Sequence, residues 1–174
     1  MYKMSAKPMI SAKQIQTRVK DLATEINSTF EFDVILSALT GAFMFTTDLC
    51  RAMANFKHRI AFIKASSYGS GMESSGKLKV TGLEKLDLKG KRVLIVDDIL
   101  DTGRTMSTLV SMLKEAGATD IRTCVLMNKE ERRSVDFHAD YVGFEIANEF
   151  VVGYGLDFDE DYRTLPEVWT LEEV

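Results

Sequence analysis

Three carboxylates and two threonines fall within a nine-residue run of this chain, Asp97-Asp98-Ile99-Leu100-Asp101-Thr102-Gly103-Arg104-Thr105. Residues of these types at this spacing suit a ligand that carries both hydroxyls and a phosphate. Asp97 and Asp98 can accept hydrogen bonds from sugar hydroxyls or hold Mg²⁺ through water, and Thr102 and Thr105 add hydroxyl donors. Gly103 allows close backbone approach, and the free amides and dipole of a helix start attract an anion. The segment Thr102 to Thr105 therefore reads as an anion cradle, and one loop would grip a ribose phosphate at both ends. An isolated Asp-Asp pair would as readily cap the next helix. The whole run makes that reading weaker.

The elements that must position this run are legible around it. Val93-Leu94-Ile95-Val96 predicts a buried strand, and Leu109, Met112 and Leu113 continue a helix that ends near Gly117. In an open parallel sheet, ligands bind outside the carboxyl ends of the strands, which puts function in the loop after Val96. The same strand, turn and helix grammar occurs earlier, with a strand over Phe32 to Leu39, a break at Thr40-Gly41 and a helix from Ala42 to Met53. Further strands are expected at 59–65, 121–127, 141–146 and 150–154, the 121–127 strand parallel to the central one. Ser11-Ala12-Lys13-Gln14 is a capping box that opens a helix with Ile15, Val19, Leu22, Ala23 and Ile26 on one face. Residues 1–9 are expected to fray unless another subunit holds them, and residues 165–174 carry no assigned element. The expected fold is α/β, a Rossmann-like parallel sheet flanked by helices.

Composition bounds the function. The 174 residues predict a single domain over 1–174. A net charge of −4, with 28% charged and 45% hydrophobic residues, is ordinary soluble material. No run is long and apolar enough to span a membrane, so the expectation is a cytoplasmic protein with no membrane partner. An acidic chain without a basic stripe argues against a nucleic-acid partner. Cys50 and Cys124 read as small core residues in a reducing compartment, and His58 and His138 lack metal-ligand spacing. Gly71-x-x-x-x-Gly76-Lys77 imitates a nucleotide P-loop, but the final Ser/Thr is missing and Leu78-Lys79-Val80-Thr81 alternates like a strand. The glycine- and serine-rich stretch 66–76 reads instead as a closing lid, with a plain hairpin loop as the alternative.

The run Val93 to Met106 resembles the phosphoribosyl-diphosphate (PRPP) motif of type I phosphoribosyltransferases. Leu39-Thr40-Gly41-Ala42-Phe43-Met44-Phe45, Ser67-Tyr68, Asn128-Lys129, and Phe150-Val151-Val152-Gly153-Tyr154-Gly155-Leu156-Asp157 with Arg163 resemble successive active-site segments of hypoxanthine-guanine phosphoribosyltransferases. The resemblance runs from about the first helix to near the C-terminus. It implies a type I core with a small hood formed by the N- and C-terminal segments, and purine salvage, in which hypoxanthine (and guanine) plus PRPP become IMP (GMP) plus pyrophosphate.

By the same resemblance, Asp97 and Asp98 hold the ribose hydroxyls, and the backbone from Asp101 through Thr102, Gly103, Arg104 and Thr105 holds the 5′-phosphate. Asp101 accepts a proton or hydrogen bond at N7 of the purine. Lys129 donates to the 6-oxygen, Phe150 stacks on the base and the Val151 backbone reads its edge. Thr40, Gly41 and Arg163 bind pyrophosphate, Ser67 and Tyr68 belong to the lid, and Mg²⁺ sits with Asp97, Asp98 and Asp157. Homodimers or homotetramers are implied by analogy. Taken singly, Phe150 would be core, Lys129 a solvated loop charge and Asp101 an N-cap. One position departs from the pattern, because the family commonly has a basic residue where Thr40 stands; the family's cis bond would be Leu39-Thr40. Three rivals remain in view: a xanthine- or guanine-preferring enzyme, a nucleotide-sensing regulator on the same fold, and a signalling receiver module, for which too few residues follow Asp98.

Overall fold

Both faces of the central strands are apolar, which requires cover above and below the sheet. The computed structural model describes residues 2–54, 57–67 and 78–173. Along the chain run β1 (Tyr2–Met4), α1 (Ala12–Thr29), β2 (Val34–Leu39), α2 (Phe43–Met53), β3 (Arg59–Ser67) and β4 (Leu78–Thr81). They are followed by β5 (Arg92–Leu100), α3 (Arg104–Glu115), β6 (Asp120–Asn128), β7 (Tyr141–Glu145), β8 (Val151–Val152) and β9 (Trp169–Glu173). Six strands form one sheet in the order β4-β3-β2-β5-β6-β7, parallel except for β4.

Alternation sorts the side chains. Ile35, Leu94 and Val96 join the core under α1 and α2, while Val34, Leu36, Val93 and Ile95 meet Leu109 and Leu113 of α3 on the other face. The α1 capping box forms as expected, with Gln14 N donating to Ser11 Oγ at 3.2 Å and Ser11 N to Gln14 Oε1 at 2.8 Å. Its predicted apolar face, Ile15, Val19, Leu22, Ala23 and Ile26, is the buried one. Each large side chain so buried contributes about 1.5–3 kcal/mol. The helix is therefore held chiefly by its stripe.

The order of the sheet creates the site. From β2 the chain winds outward to β3, and from β5 it winds the opposite way to β6, so the strand order reverses between β2 and β5. A crevice opens outside the carboxyl ends of strands at such a point. Thr40-Gly41 and Asp98 lie there.

Three local expectations are corrected. The carboxylates do not begin a loop after Val96, because β5 continues through Asp97, Asp98, Ile99 and Leu100 and pairs with β6 up to Leu100↔Asn128. Residues 2–4 do not fray: β1 pairs antiparallel with β9, which in turn pairs with β8, and this three-stranded sheet is the hood. No local pattern shows such pairing, since its partners sit at opposite ends of the chain. The unassigned terminal stretch is accordingly a strand, β9. Tyr68 and the P-loop-like stretch 71–77 lie outside the described residues, and Ser67 ends β3 opposite Leu78.

Tyr2 also stacks on Phe158, with ring centroids 4.7 Å apart. Deleting Tyr2 to Ser5 is expected to lower the melting temperature, since β9 loses its β1 ladder and Phe158 a ring contact. A melt unchanged within error would show that β1 is not held by the chain itself.

Candidate functional site

The crevice is a cavity of about 390 Å³ whose lining includes Thr40, Gly41, Lys64, Asp98, Lys129, Phe150, Val151, Asp157 and Arg163. The peptide bond Leu39-Thr40 is cis. Gly41 is required at the next position, because a Cβ there would overlap the Asp98 carboxylate. Gly155, at φ +102°, lies against the Gly41 carbonyl in the same way. Three chain segments thus meet here, the Gly41 turn resting on the Asp98 side chain and Gly155 on the Gly41 backbone. Tyr154 locks the arrangement from behind, its hydroxyl donating to Asp48 Oδ2 of α2 at 2.6 Å. Burial, then the Asp48 hydrogen bond and charge, raise the Tyr154 phenol well above its ordinary pKa. It stays a neutral donor.

Asp97 and Asp98 are half-buried neighbours on β5. Asp98 N donates to Asp97 Oδ1 at 2.9 Å, and Ile99 N to Asp98 Oδ1 at 2.7 Å. Burial and then the Asp98 charge raise the Asp97 carboxyl well above its ordinary range. The free protein holds this pair at a cost, as expected of groups poised to meet hydroxyls or a cation.

The turn after β5 holds the residues expected to form the cradle, with one of them placed differently. The residue at the start of α3 is Gly103, at φ +82° and with no side-chain cap, so Asp101 is not the N-cap. Of the first-turn amides of α3, Arg104 N donates to Thr102 Oγ1 at 3.4 Å, and no N-cap side chain takes the others. A Cβ at Gly103 would come within 2.8 Å of Arg133 Cδ, so only glycine suits both the turn and the packing. Arg104 turns aside, its Nε donating to Ser134 Oγ at 3.0 Å. Thr102 carries Ser134 on its carbonyl at 3.0 Å, and Thr105 lies in the first turn of α3. Asp101 meets Arg132 in a 3.0 Å ion pair with both side chains about half exposed. Such pairs contribute little and exchange readily.

Arg132, Arg133, Lys64 and Glu160 were not singled out from the sequence. Arg133 is 8% exposed and donates to the carbonyls of Asp101 and Phe137 and to Asn128 Oδ1. It staples the cradle to the loop after β6. The Arg132-Arg133 pair was visible only as part of a charged loop.

At the other end of the cavity, Lys129 is 9% exposed, so it is not a solvated charge, and its Nζ donates to the Glu149 carbonyl at 2.7 Å. Phe150 is 49% exposed, so it is not core. It meets Phe158 edge-on at 5.7 Å, which leaves a ring face for a planar ligand. Val151 is fixed by β8, and Leu171 N donates to the Phe150 carbonyl at 2.9 Å. Arg163 binds Asp157 at 3.1 Å, Glu160 at 3.4 Å and the Gly155 carbonyl at 2.9 Å.

Among the described residues, no three acidic, His or Cys side chains converge on a metal position. Mg²⁺ seldom needs such a cage, since it keeps waters and binds one or two carboxylates together with substrate phosphates. The hard oxygens of Asp98 and Asp157, lining one cavity, fit that mode.

The phosphoribosyl transferase domain model matches residues 11–159. The chain belongs to the phosphoribosyl transferase family. Among its relatives is the hypoxanthine-guanine phosphoribosyltransferase of Aquifex aeolicus, 46% identical over 96% of this chain and 95% of that one. The hypoxanthine phosphoribosyltransferase of Escherichia coli K12 is 37% identical over 95% of each. A crystal structure of a hypoxanthine-guanine phosphoribosyltransferase from Bacillus anthracis superposes with a TM-score of 0.88 at 37% identity, over 99% of this chain and 100% of that one. This is the type I phosphoribosyltransferase fold.

The raised Asp97 carboxyl gives a pH prediction. A group whose folded pKa exceeds its unfolded value stabilises the fold fully below the unfolded value, and that contribution is lost as pH rises through the folded one. Asp97→Asn, which keeps an acceptor for the Asp98 amide, should therefore melt higher than wild type at pH 8 in chelator. The gap should close toward pH 4. Each kcal/mol recovered shifts Tm by about 2–4 °C in a chain of this length. A variant that melts no higher at pH 8 would show that Asp97 is ionised without cost.

Proposed function

We propose that this phosphoribosyltransferase serves purine salvage, joining hypoxanthine, and guanine, to the ribosyl 5-phosphate of PRPP with release of pyrophosphate. The observation that carries the reading is the buried Lys129 ammonium beside the half-exposed face of Phe150, in one cavity with Asp98 and the Thr40-Gly41 turn. The names of the relatives point to the same bases.

The residues divide the work. Asp97 and Asp98 would take the ribose hydroxyls, and the backbone from Asp101 to Thr105 the 5′-phosphate. The purine would stack on Phe150, with its edge against the Val151 backbone. Lys129 has three N–H donors, and its bond to the Glu149 carbonyl leaves others for the 6-oxygen. In the reaction the bond from C1′ to the pyrophosphate oxygen breaks, the bond from C1′ to N9 forms, and the displaced base proton passes to Asp101 from N7. Asp101 must first release Arg132, which an exposed pair does at little cost. Thr40, Gly41 and Arg163 would receive the pyrophosphate. Mg²⁺ held by Asp157, and through water by Asp97 and Asp98, would neutralise phosphate charge.

Ser67 would anchor a lid containing Tyr68. Ile60 and Phe62, 47% and 52% exposed on β3, offer an apolar surface for a homodimer or homotetramer. A cytoplasmic, reducing setting fits the unpaired Cys50 and Cys124. Residues 1–174 would work as a single domain.

Two variants test the reading in a PRPP- and Mg²⁺-dependent assay. Asp101→Asn should lose most turnover and keep its melting temperature, because Gly103 and not Asp101 starts α3. Normal turnover would remove Asp101 from the chemistry. Adenine presents a donor to Lys129 and should be disfavoured by roughly ten- to hundredfold or more in kcat/KM. Lys129→Gln should narrow that ratio, since a carboxamide can offer either its oxygen or its NH₂. A wild type that uses adenine as well as hypoxanthine would sink the 6-oxopurine assignment.

A further inference from the structure

The charges lining the cavity do not favour a polyanion. Lys64, Lys129 and Arg163 face Asp98, Asp157 and Glu160, so cations and carboxylates balance. Two of the three cations are already engaged. Arg163 is held by Asp157 and Glu160 together, and Lys129 donates to the Glu149 carbonyl at the base end. Thr40 brings no charge to the turn. Lys64 is different. It lies on β3 directly opposite Leu39 in the parallel ladder, beside the cis bond that leads into Thr40-Gly41. Its side chain is exposed, lines the cavity, and has no ion pair among the described residues.

We propose that Lys64 binds the departing pyrophosphate directly through charge in this chain, before Arg163 is released to join it. The inference rests on the phosphoribosyl-transfer reading and adds to it a residue for which the neutral Thr40 leaves room. Strand β2 sets the turn whose amides face the phosphates, and its neighbour β3 delivers an ammonium to the same place with no loop rearrangement. Arg163 must first exchange carboxylates for phosphate or share Mg²⁺ with them. Among the described residues Lys64 has no carboxylate to give up, so its attraction is available to PRPP on arrival and to pyrophosphate as charge develops on the leaving oxygen.

The test compares wild type, Lys64→Met and Lys64→Arg by titration with Mg²⁺-pyrophosphate and, separately, with IMP, which lacks the pyrophosphate. Lys64→Met keeps the length and loses the charge. On an exposed strand position it should preserve the fold, which a thermal melt records. Loss of a charged hydrogen bond should weaken pyrophosphate binding by roughly ten- to hundredfold and raise KM for PRPP in step, with IMP affinity nearly unchanged. Lys64→Arg should stay close to wild type. Unchanged pyrophosphate affinity in Lys64→Met overturns the proposal, and so does a parallel loss of IMP affinity or of the fold, because each assigns Lys64 a general structural role. The underlying reading fails separately. If wild type binds Mg²⁺-pyrophosphate through Lys64 yet transfers no phosphoribosyl group, the reaction is wrong and the binding site stands.

Discussion

The structure depends on how closely two strand ends approach. Gly41 at the end of β2 lies against the carboxylate of Asp98 near the end of β5, with no room for a Cβ, and Gly155 lies against the Gly41 carbonyl. That contact sits where the strand order reverses. It brings three parts of the chain, the outer two more than a hundred residues apart in sequence, to one small cavity. A larger residue at either glycine would part them. The spacing of the Asp98 carboxylate, the Thr40-Gly41 turn and the Gly155 segment is therefore set by close packing, in which small changes of volume are felt.

Charge in the free site is stored in temporary partners. Asp101 holds Arg132, Arg163 holds Asp157 and Glu160, and Lys129 holds a carbonyl. Each group is thereby held at the cavity by a partner. The half-exposed Asp101–Arg132 pair suits temporary pairing because breaking it costs little. Arg133 contrasts with them. It is buried, holds three acceptors and keeps the cradle's shape while the exposed pairs change.

The hood joins the two chain ends to the same site. β8 carries Val151, β9 carries the carbonyl and amide that pair with it, and β1 closes the sheet. Tyr2, Phe158 and Phe150 form a row of ring contacts from the N-terminal strand to the half-exposed ring of Phe150. A residue remote in sequence thus steadies the ring that would receive the purine.

By itself the sequence determined the α/β class, the capping box and apolar face of α1, the central strand and the helix after it, because periodicity and caps are local physics. It also carried the resemblance on which the candidate residues rest, since the motif runs are contiguous. Tertiary structure alone decided that β5 runs on through both aspartates, that residues 2–4 pair with β9, that Gly103 rather than Asp101 starts α3, and that Phe150 is half exposed. It also decided which of the described cavity cations are paired. Lys64 reads as one more lysine in a strand, and only the register beside Leu39 brings it to the cavity. The reason is that pairing energy depends on distance in space, and strand order sets that distance without leaving any mark in the spacing of residues along the chain.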